Sequence, residues 1–390
     1  MILFLHHRYR TAGGEERAVE DLLWLVRERL GEDAELLERD SAVLGRSRAA
    51  VGMLAGGLRP DEVGRAVRRT GARIVHAHNL HPTLGWRALA AAREAGARVV
   101  LHLHQYRLVC AIGVCFRDGE ECTRCHGRNT LPGVALNCRG SRAEAAAYGA
   151  GLALWQRRLT GLADVCIVPS RFAGARLQAL GAPLGETFVV PHVIREFAAG
   201  PAPGDGGHAL VTARLAPEKG IDTAIGACQI AGMPLVIAGD GPERARLQAV
   251  AAGGTTTAPV TFAGQVSAGE LTQLRAGARL ALVPSRSAET FGLAAAEAMA
   301  AGLPVAASRV GALPELVPGE WLVPPGDAPA LAAAITRLGD DQAGGAGRAA
   351  GARAIELARA ATAPEVVAPA LASVYARAMA GQAGATSPAA

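Results

Sequence analysis

The chain has 390 residues, of which half are hydrophobic and 19% are charged, so it is long and apolar enough for two or three globular domains. This composition excludes a disordered chain, and no uncharged apolar run reaches the roughly 18 residues of a membrane-spanning helix. Residues 1–8 lack the features of a secretory signal, and the seven cysteines, five of them between Cys110 and Cys138, are not spaced like a secreted disulfide framework. We therefore expect a cytoplasmic protein.

The basic residues are unevenly distributed. Lys219 is the single lysine among 40 Lys and Arg residues. Residues 1–192 carry 26 Arg against 19 Asp and Glu, whereas the rest of the chain carries 14 basic against 16 acidic residues. The positive first half predicts an anionic partner, such as a phosphorylated lipid or the inner face of a membrane. The charge is too diffuse to predict a nucleic-acid partner.

Short apolar runs alternate with helical patterns along the chain. In the first half we predict strands at 1–5, 73–78, 98–102 and 164–168, and an amphipathic helix at 15–30. In the second half we predict strands at 208–213, 234–238, 260–263 and 279–283, and helices at 217–231, 242–252 and 268–277. Apolar strands joined by helices are typical of parallel sheets covered on both faces.

The Pro- and Gly-rich segment 199–207 is predicted to link two similar halves. Residues 163–173 and 278–288 are identical at six of eleven positions, and in both a strand ends in Val-Pro-Ser before a helix. This sequence similarity supports two halves with the same fold, although convergence of common strand-turn sequences would also explain it. The tail 380–390 is predicted to be disordered.

The strand at 208–213 leads into Arg214-Leu-Ala-Pro-Glu-Lys219-Gly220 and then into a helix. Ligands bind at the carboxyl ends of strands in parallel sheets, and a lysine ammonium can reach a phosphate as a point charge. The pattern therefore predicts that Lys219 and Arg214 bind phosphate. The alternative is a surface lysine without a role.

A second candidate group follows the strand at 279–283. Glu289 precedes Gly292, which opens a helix, and Glu297 lies in the first turns of that helix among alanines. The N–H groups of residues 291–293 would bind an anion between the two carboxylates, and a carboxylate accepts two hydrogen bonds from vicinal hydroxyls. This fits a sugar nucleotide. Two glutamates at this spacing can also be ordinary solvated residues, but the apolar surroundings of Glu297 argue against that.

These segments resemble, in order and spacing, the retaining glycosyltransferases of family 4, which have the GT-B fold. The resemblance extends over nearly the whole chain. It is carried by Arg214-x4-Lys219-Gly220, Gly239-Asp-Gly-Pro-Glu243, Phe262-Ala-Gly264, Glu289-x7-Glu297, Gly13-Gly14, Val75-His-Ala-His78-Asn79 and His104-Gln-Tyr-Arg107.

The resemblance implies an α/β protein with two Rossmann-like domains facing a cleft. Residues 1–192 would bind the acceptor and contain a cysteine-rich insert at 105–142. Residues 193–362 would bind the donor, and within 363–390 a last helix would cross back onto the first domain.

The resemblance also implies roles for the matching residues. Arg214 and Lys219 would bind the donor diphosphate and neutralise the departing nucleotide, while Glu289 would contact the donor sugar and Glu297 the ribose. His104 would lie near the reacting sugar. Further donor contacts would come from two glycines of a loop and from backbone N–H groups, at Gly13, Gly14, Phe291, Gly292 and Leu293.

Two details qualify these roles. Gln105 stands where relatives often carry Asp or Asn, which puts an acid/base role at that position in doubt. The chain has no D-x-D motif, so the sequence does not require a metal for the chemistry. We expect Lys219→Ala to slow turnover and to leave the melting temperature almost unchanged.

The implied activity is the retaining transfer of a hexose from a nucleotide-diphosphate sugar to a glycan, lipid-linked or small-molecule acceptor, in polysaccharide biosynthesis. The main alternative is an epimerase-like GT-B enzyme that uses the same donor site without an acceptor. A zinc-containing nucleic-acid-binding protein is a weaker alternative, since no nucleic-acid-reading motif occurs. A NAD-dependent dehydrogenase is excluded because the third glycine after Gly239 and Gly241 is missing.

The cysteines suggest a structural metal. Cys122-x2-Cys125 has zinc-knuckle spacing, and Cys110 and Cys138 flank it. Similar family members have cysteines at positions matching these four, whereas Cys115 is an extra, predicted to be a packed thiol. Four thiolates would form a closed structural zinc site; reduced thiols or a disulfide are the alternatives, the disulfide being disfavoured in a reducing cytoplasm.

Overall fold

The structure of the chain, a computed structural model, describes residues 1–10, 13–200, 207–254, 258–339 and 346–381. Residues 201–206 of the predicted linker and 382–390 of the predicted disordered tail lie outside the described residues. The chain divides into two units. The first contains Met1–Cys115, Cys122–Val193 and the chain from Pro364 onward, and the second contains Phe116–Glu121 and Ile194–Ala363.

Among the described residues up to Val193, where the two units divide, there are eight strands. They are β1 (Ile2–Arg8), β2 (Ala34–Asp40), β3 (Ile74–Ala77), β4 (Arg98–His102), β5 (Phe116–Arg117), β6 (Glu120–Glu121), β7 (Val165–Val168) and β8 (Thr187–Val189). β5 and β6 form a short antiparallel hairpin, and the other six form one parallel sheet in the order β2-β1-β3-β4-β7-β8. The helices of this part are α1 (Gly14–Glu28), α2 (Arg46–Ala55), α3 (Pro60–Thr70), α4 (Gly85–Glu94), α5 (Leu131–Ala135), α6 (Arg142–Gly161) and α7 (Arg171–Ala179).

The described part of the second unit between Ile194 and Ala363 repeats this plan. Its strands are β9 (His208–Thr212), β10 (Leu235–Ala238), β11 (Val260–Gly264), β12 (Ala278–Val283), β13 (Val305–Ser308) and β14 (Leu322–Val323), parallel in the order β11-β10-β9-β12-β13-β14. Its helices are α8 (Ile221–Ala231), α9 (Arg244–Ala252), α10 (Ala268–Ala276), α11 (Leu293–Ala300), α12 (Leu313–Leu316), α13 (Ala328–Gly339) and α14 (Ala346–Thr362). Short 3-10 turns lie at Pro217–Lys219 and Gly319–Trp321.

The predicted helix 217–231 was wrong at its start. A 3-10 turn ends at Lys219, Gly220 has φ of 62°, and α8 begins only at Ile221. A left-handed residue cannot continue a right-handed helix, so Gly220 separates the two segments.

Strand order positions the candidate site. In the second sheet the neighbours β9 and β12 are the first and fourth strands of the unit, so the connections that leave them run in opposite directions. Ligands bind at such a switch point, beyond the carboxyl ends of the strands. The first sheet has its switch point between β1 and β3.

The last helix, α15 (Pro364–Ala380), belongs to the first unit. Its Val367, Leu371 and Val374 share one buried apolar cluster with Leu22 and Leu25 of α1. The inward positions of both helices recur every three or four residues, as expected for helices that cover one face of a sheet. Within the described part of the chain, none of the helices has the length and apolar content needed to cross a membrane.

Candidate active site

An ion pair links the two segments that leave the switch point of the second sheet. The Nζ atom of Lys219, which follows β9, lies 2.7 Å from Oε1 of Glu289, which follows β12. Ser285 donates its hydroxyl hydrogen bond to the same Oε1 at 2.6 Å. The side chains of Lys219 and Glu289 are 27% and 17% exposed, so the pair is half-buried and still reachable from solvent.

The charge state of Glu289 follows from these contacts. Burial by itself would raise the pKa of its carboxyl group. The charge and hydrogen bond of Lys219, together with the Ser285 hydroxyl, outweigh burial, and the pKa lies below its ordinary value. Glu289 is therefore an anion at neutral pH and can accept further hydrogen bonds from hydroxyl groups.

Backbone contacts fix the two loops against each other. The amide of Arg286 donates to the carbonyl oxygen of Glu218 at 2.8 Å. The Glu218 side chain is buried and accepts a hydrogen bond from Arg214, whose own side chain is half exposed. Gly220 completes the contact, because a Cβ atom there would lie 2.1 Å from the carbonyl oxygen of Pro284. These contacts hold the segment that carries Arg214 and Lys219 against the loop that follows β12.

We expect Gly220→Ala to destabilise the second unit by about 3 kcal/mol, since it adds an overpacked contact to a left-handed backbone. Gly232→Ala is the matched control: Gly232 has φ of 66°, and nothing lies within 4 Å of an added Cβ. The control should cost only about 1 kcal/mol. Denaturant unfolding of both variants measures the difference, and equal losses would show that the Pro284 contact is unimportant.

Glu297 lies in a different setting from Glu289. It occupies α11, which begins after Gly292, and its Oε2 lies 2.5 Å from Nη2 of Arg275 in α10. Both side chains are largely buried. Gly292 has φ of 96°, and a Cβ there would lie 2.6 Å from Leu313, so this helix start requires glycine. The predicted N–H donors around Leu293 thus belong to a tightly packed helix N-terminus.

Sequence reasoning missed several partners in this group. Ser285 and Arg275 are the contacts of the two glutamates, and Gly311 lets its backbone approach Glu289, since a Cβ would lie 2.3 Å from the Glu289 nitrogen and oxygen. Ser285 lies four residues before Glu289 in the same loop, which is a usable signal. Arg275 and Gly311 carry no comparable signal in the sequence.

The first unit contains a separate polar group at its own switch point. Oε2 of Glu15 accepts hydrogen bonds from the Tyr9 hydroxyl at 2.8 Å and from Nε2 of Gln105 at 3.0 Å. The guanidinium of Arg107 stacks 4.4 Å from the centre of the Tyr9 ring. These residues and His104 line a cavity of about 40 Å³, and burial raises the pKa of Glu15. Neither Glu15 nor Tyr9 was predicted from the sequence to have a role.

His104 is buried at this cavity. Its Nε2 lies 2.8 Å from Nδ1 of His78. Burial, with smaller effects from neighbouring histidines, holds its pKa well below the ordinary value, so the ring is neutral at neutral pH. Such a ring can exchange hydrogen bonds with a sugar hydroxyl without carrying charge.

The predicted loop glycines lie at the start of α1. Gly13 is exposed, its N–H donates to Glu16 at 2.7 Å, and an added Cβ would make only an ordinary contact with that carboxylate. Packing within the chain therefore does not demand glycine at position 13. A ligand that approaches the backbone closely would still explain a glycine at position 13.

The cysteines are near one another but are not gathered at one point. Cys115 is buried, the other four of the insert are half-buried, and the Cys115 thiol hydrogen-bonds to Cys110, which lowers the pKa of Cys110 to about 6. Burial raises the pKa of Cys125 to about 11. Among the described residues, the groups of three side chains with ligand atoms within 4.8 Å of one another consist of histidines. A zinc site on the four predicted cysteine ligands therefore stays a prediction.

Two family models match the chain. The model described as glycosyl transferase 4-like domain matches residues 9–192, and the model described as glycosyl transferases group 1 matches residues 206–341. The matches cover both units of the structure.

Curated relatives align with parts of the chain. The amylovoran biosynthesis glycosyltransferase AmsK of Erwinia amylovora is 36% identical over 147 residues, which are 34% of this chain and 36% of AmsK. A GDP-mannose-dependent phosphatidylinositol dimannoside mannosyltransferase of Mycobacterium tuberculosis is 44% identical over 110 residues, 27% of this chain and 28% of the relative. The aligned parts thus span about a third of the length of these relatives.

Solved structures share the fold over nearly their full length. Sucrose-phosphate synthase of Thermosynechococcus elongatus has a TM-score of 0.71 at 21% identity, with 97% of this chain and 99% of the other covered. Anabaena HepE in complex with UDP-glucose has a TM-score of 0.65 at 19% identity, with 96% and 99% covered. With the two parallel-sheet units described above, these likenesses identify the fold as GT-B.

Proposed function

Since this chain belongs to the glycosyltransferases with the GT-B fold, we propose that it transfers a hexose from a nucleotide-diphosphate sugar to a glycan or lipid-linked acceptor, in the biosynthesis of a polysaccharide. The observation that carries the proposal is the contact between Lys219 and Glu289 at the switch point of the second sheet, with Arg214 on the same segment. A cation and an anion side by side suit a donor that has both phosphates and hydroxyls.

The chemistry follows from the charges of this group. When the nucleoside diphosphate leaves the anomeric carbon, the oxygen of its β-phosphate keeps the bonding electron pair and gains one negative charge, and Lys219 and Arg214 stabilise that charge as it develops. Lys219 turns from Glu289 towards the phosphates when the donor binds, and Glu289 then accepts hydrogen bonds from sugar hydroxyls. Glu297 holds the ribose hydroxyls. Retention of the anomeric configuration is proposed from the resemblance to family 4 alone.

The first unit supplies the acceptor side in this proposal. His104, as a neutral imidazole, contacts the sugar, and the exposed Gly13-Gly14 turn admits the donor phosphates close to the backbone. The buried Glu15 carboxylate at the same cavity offers a further hydrogen-bond acceptor for a hydroxyl group.

Thermal-shift measurements with UDP-, GDP- and ADP-sugars test donor binding, because a ligand that binds the native state raises Tm by mass action. Release of nucleoside diphosphate is then measured with and without glycan or lipid-linked acceptors. Release that depends on an acceptor supports transfer. Release or epimer formation without any acceptor supports the epimerase-like alternative, and no shift with any sugar nucleotide contradicts the proposal.

We also propose that this protein is cytoplasmic and makes peripheral contact with a membrane. On α2, Val51 and Leu54 are exposed beside the exposed arginines Arg46 and Arg48. Apolar and basic side chains on one exposed helix suit an anionic lipid surface. We expect co-sedimentation with vesicles that contain phosphatidylglycerol, loss of binding in high salt, and weaker binding of Arg46→Glu/Arg48→Glu. Equal binding to neutral phosphatidylcholine vesicles would contradict an electrostatic contact.

Structural zinc on Cys110, Cys122, Cys125 and Cys138 stays a prediction that rests on spacing and resemblance. It requires the insert to draw the sulfurs closer together than they lie here. If it holds, protein purified without chelator contains a zinc ion that Cys122→Ser lacks, and this variant is less stable but still binds sugar nucleotides. Cys115→Ser is the matched control and should keep the metal. Identical zinc content in wild type and Cys122→Ser would contradict the prediction.

A further inference from the structure

Three buried histidines form a cluster in the first unit that the proposed reaction does not use. We define the histidine triad as His76, His78 and His102, each of which has a side-chain nitrogen within 4.8 Å of the others. All three side chains are at most 3% exposed. We propose that the histidine triad binds one divalent transition-metal ion of the zinc type.

Strand geometry explains why these side chains meet. His76 and His78 are two residues apart, so both point to one face of the sheet, and His102 at the end of β4 follows the same rule. Parallel pairing sets His76 beside Val100 and Ala77 beside Leu101, which brings His102 next to His78. The ring centres of His76 and His78 are 4.4 Å apart, and that of His102 lies 5.4 Å from each.

The nitrogens of the triad have unmet bonding capacity. Nε2 of His76, Nε2 of His78 and both nitrogens of His102 are buried without a hydrogen-bond partner in the described structure. A buried polar atom without a partner is destabilising, and such groups call for an explanation. A metal ion would use one nitrogen from each ring.

Two of these rings have hydrogen-bond partners of the kind that support metal-binding histidines. Nδ1 of His76 lies 2.8 Å from the Tyr375 hydroxyl, and Nδ1 of His78 lies 2.8 Å from His104. When Nδ1 donates its proton to such a partner, Nε2 keeps the lone pair, and this is the usual support of a metal-binding histidine.

The site has room for a further ligand. The cavity of about 40 Å³ is lined by His78 and His102, and it is large enough for a water molecule. Three imidazoles and a water form a tetrahedral set for Zn²⁺ or Co²⁺. Ligand nitrogens around such an ion lie about 3.3 Å apart. Because the rings of His76 and His102 are stacked with 6° between their planes, binding would turn the rings as well as close their nitrogens from the present limit of 4.8 Å.

Cobalt distinguishes the triad from the cysteines. Metal-free full-length protein is titrated with Co²⁺, and X-ray absorption of the bound ion reports its ligands. We expect a site with nitrogen and oxygen ligands only, at about 2.0–2.1 Å. A thiolate-to-cobalt absorption band would report a separate cysteine site. Bound cobalt with sulfur ligands alone, or no bound cobalt at all, overturns the proposal.

Variants locate the site. His102→Gln and His76→Gln should each lose one cobalt ion per chain, and Tyr375→Phe, a mild change, should weaken binding about 10-fold by removing the support of His76. His192→Gln separates the triad from a second group of close histidine nitrogens, those of His102, His104 and His192, and should keep the cobalt ion. Equal cobalt binding by His76→Gln, Tyr375→Phe and wild type overturns the proposal, as does loss of cobalt in the His192 variant alone.

Discussion

We expect Lys219→Ala to lower kcat for sugar transfer by about 10²–10³-fold, which is the usual loss when one preorganised electrostatic contact to developing charge is removed. No other lysine exists in the chain, and Arg214 on the same segment already bonds to Glu218. No other cation of this segment is therefore available to replace the lost ammonium group. The measurement is steady-state transfer at saturating donor and acceptor. Near-normal kcat would make Lys219 a surface residue without a role in the reaction.

The sequence alone predicts that Lys219→Ala leaves the melting temperature almost unchanged, and the structure leads to a different expectation. Lys219→Ala leaves the carboxylate of Glu289 with Ser285 as its remaining partner, so burial raises the pKa of Glu289 and the variant loses stability. Because the pair is half-buried, we expect a loss of about 1–2 kcal/mol rather than the unchanged Tm predicted from sequence.

A double variant separates the two effects. Lys219→Ala/Glu289→Gln removes the unpaired charge and should recover most of the stability, while kcat stays low. Arg353→Ala, which breaks an exposed ion pair with Glu320, is the control and should change neither quantity. Recovery of kcat in the double variant would mean that Lys219 acts only by neutralising Glu289.

The sequence predicted β1, β3, β4, β7 and β9 to β12, because each of these strands is a short, mainly apolar run. It missed β2, whose sequence Ala-Glu-Leu-Leu-Glu-Arg-Asp is largely charged, and it missed β5, β6, β8, β13 and β14, which are runs of only two to four residues. It also located Lys219 and Glu289 correctly at the ends of strands. That these two residues touch was not predictable, since they are 70 residues apart and meet only through the strand order that sets β9 beside β12. The break at Gly220 was missed because a glycine in the sequence fits both a continuing helix and a left-handed turn, and the φ of 62° that ends the 3-10 turn is seen only in the structure.

The histidine triad shows a signal that sequence analysis could have used further. His76-Ala-His78 and His102-Leu-His104 have the same two-residue spacing in neighbouring strands, so each pair lies on one face. The spacing alone does not give the register between the strands, and a shift of one residue would send one pair to the other face. The register and the Tyr375 contact from α15 are properties of the folded unit.

Glu297→Ala should weaken binding of the free nucleoside diphosphate about 10–100-fold, because the ribose hydroxyls lose their charge-assisted hydrogen bonds to the Glu297 carboxylate. At saturating donor, kcat should change only a few-fold, since the ribose takes no part in bond breaking. Calorimetric titration with UDP, GDP and ADP measures the loss. An unchanged Kd with a lowered kcat would mean that Glu289 and Glu297 have exchanged roles.

The partner of Glu297 provides the control for this prediction. Arg275→Gln breaks the same 2.5 Å contact but leaves the carboxylate in place. If Glu297 acts by binding ribose, Arg275→Gln should share the loss of stability and retain most of the nucleotide affinity. If the ion pair merely fixes α11 against α10, the two variants should lose affinity equally, because both remove the same link between the helices. The difference in Kd between the two variants therefore measures the ribose contact separately from the packing of the helices.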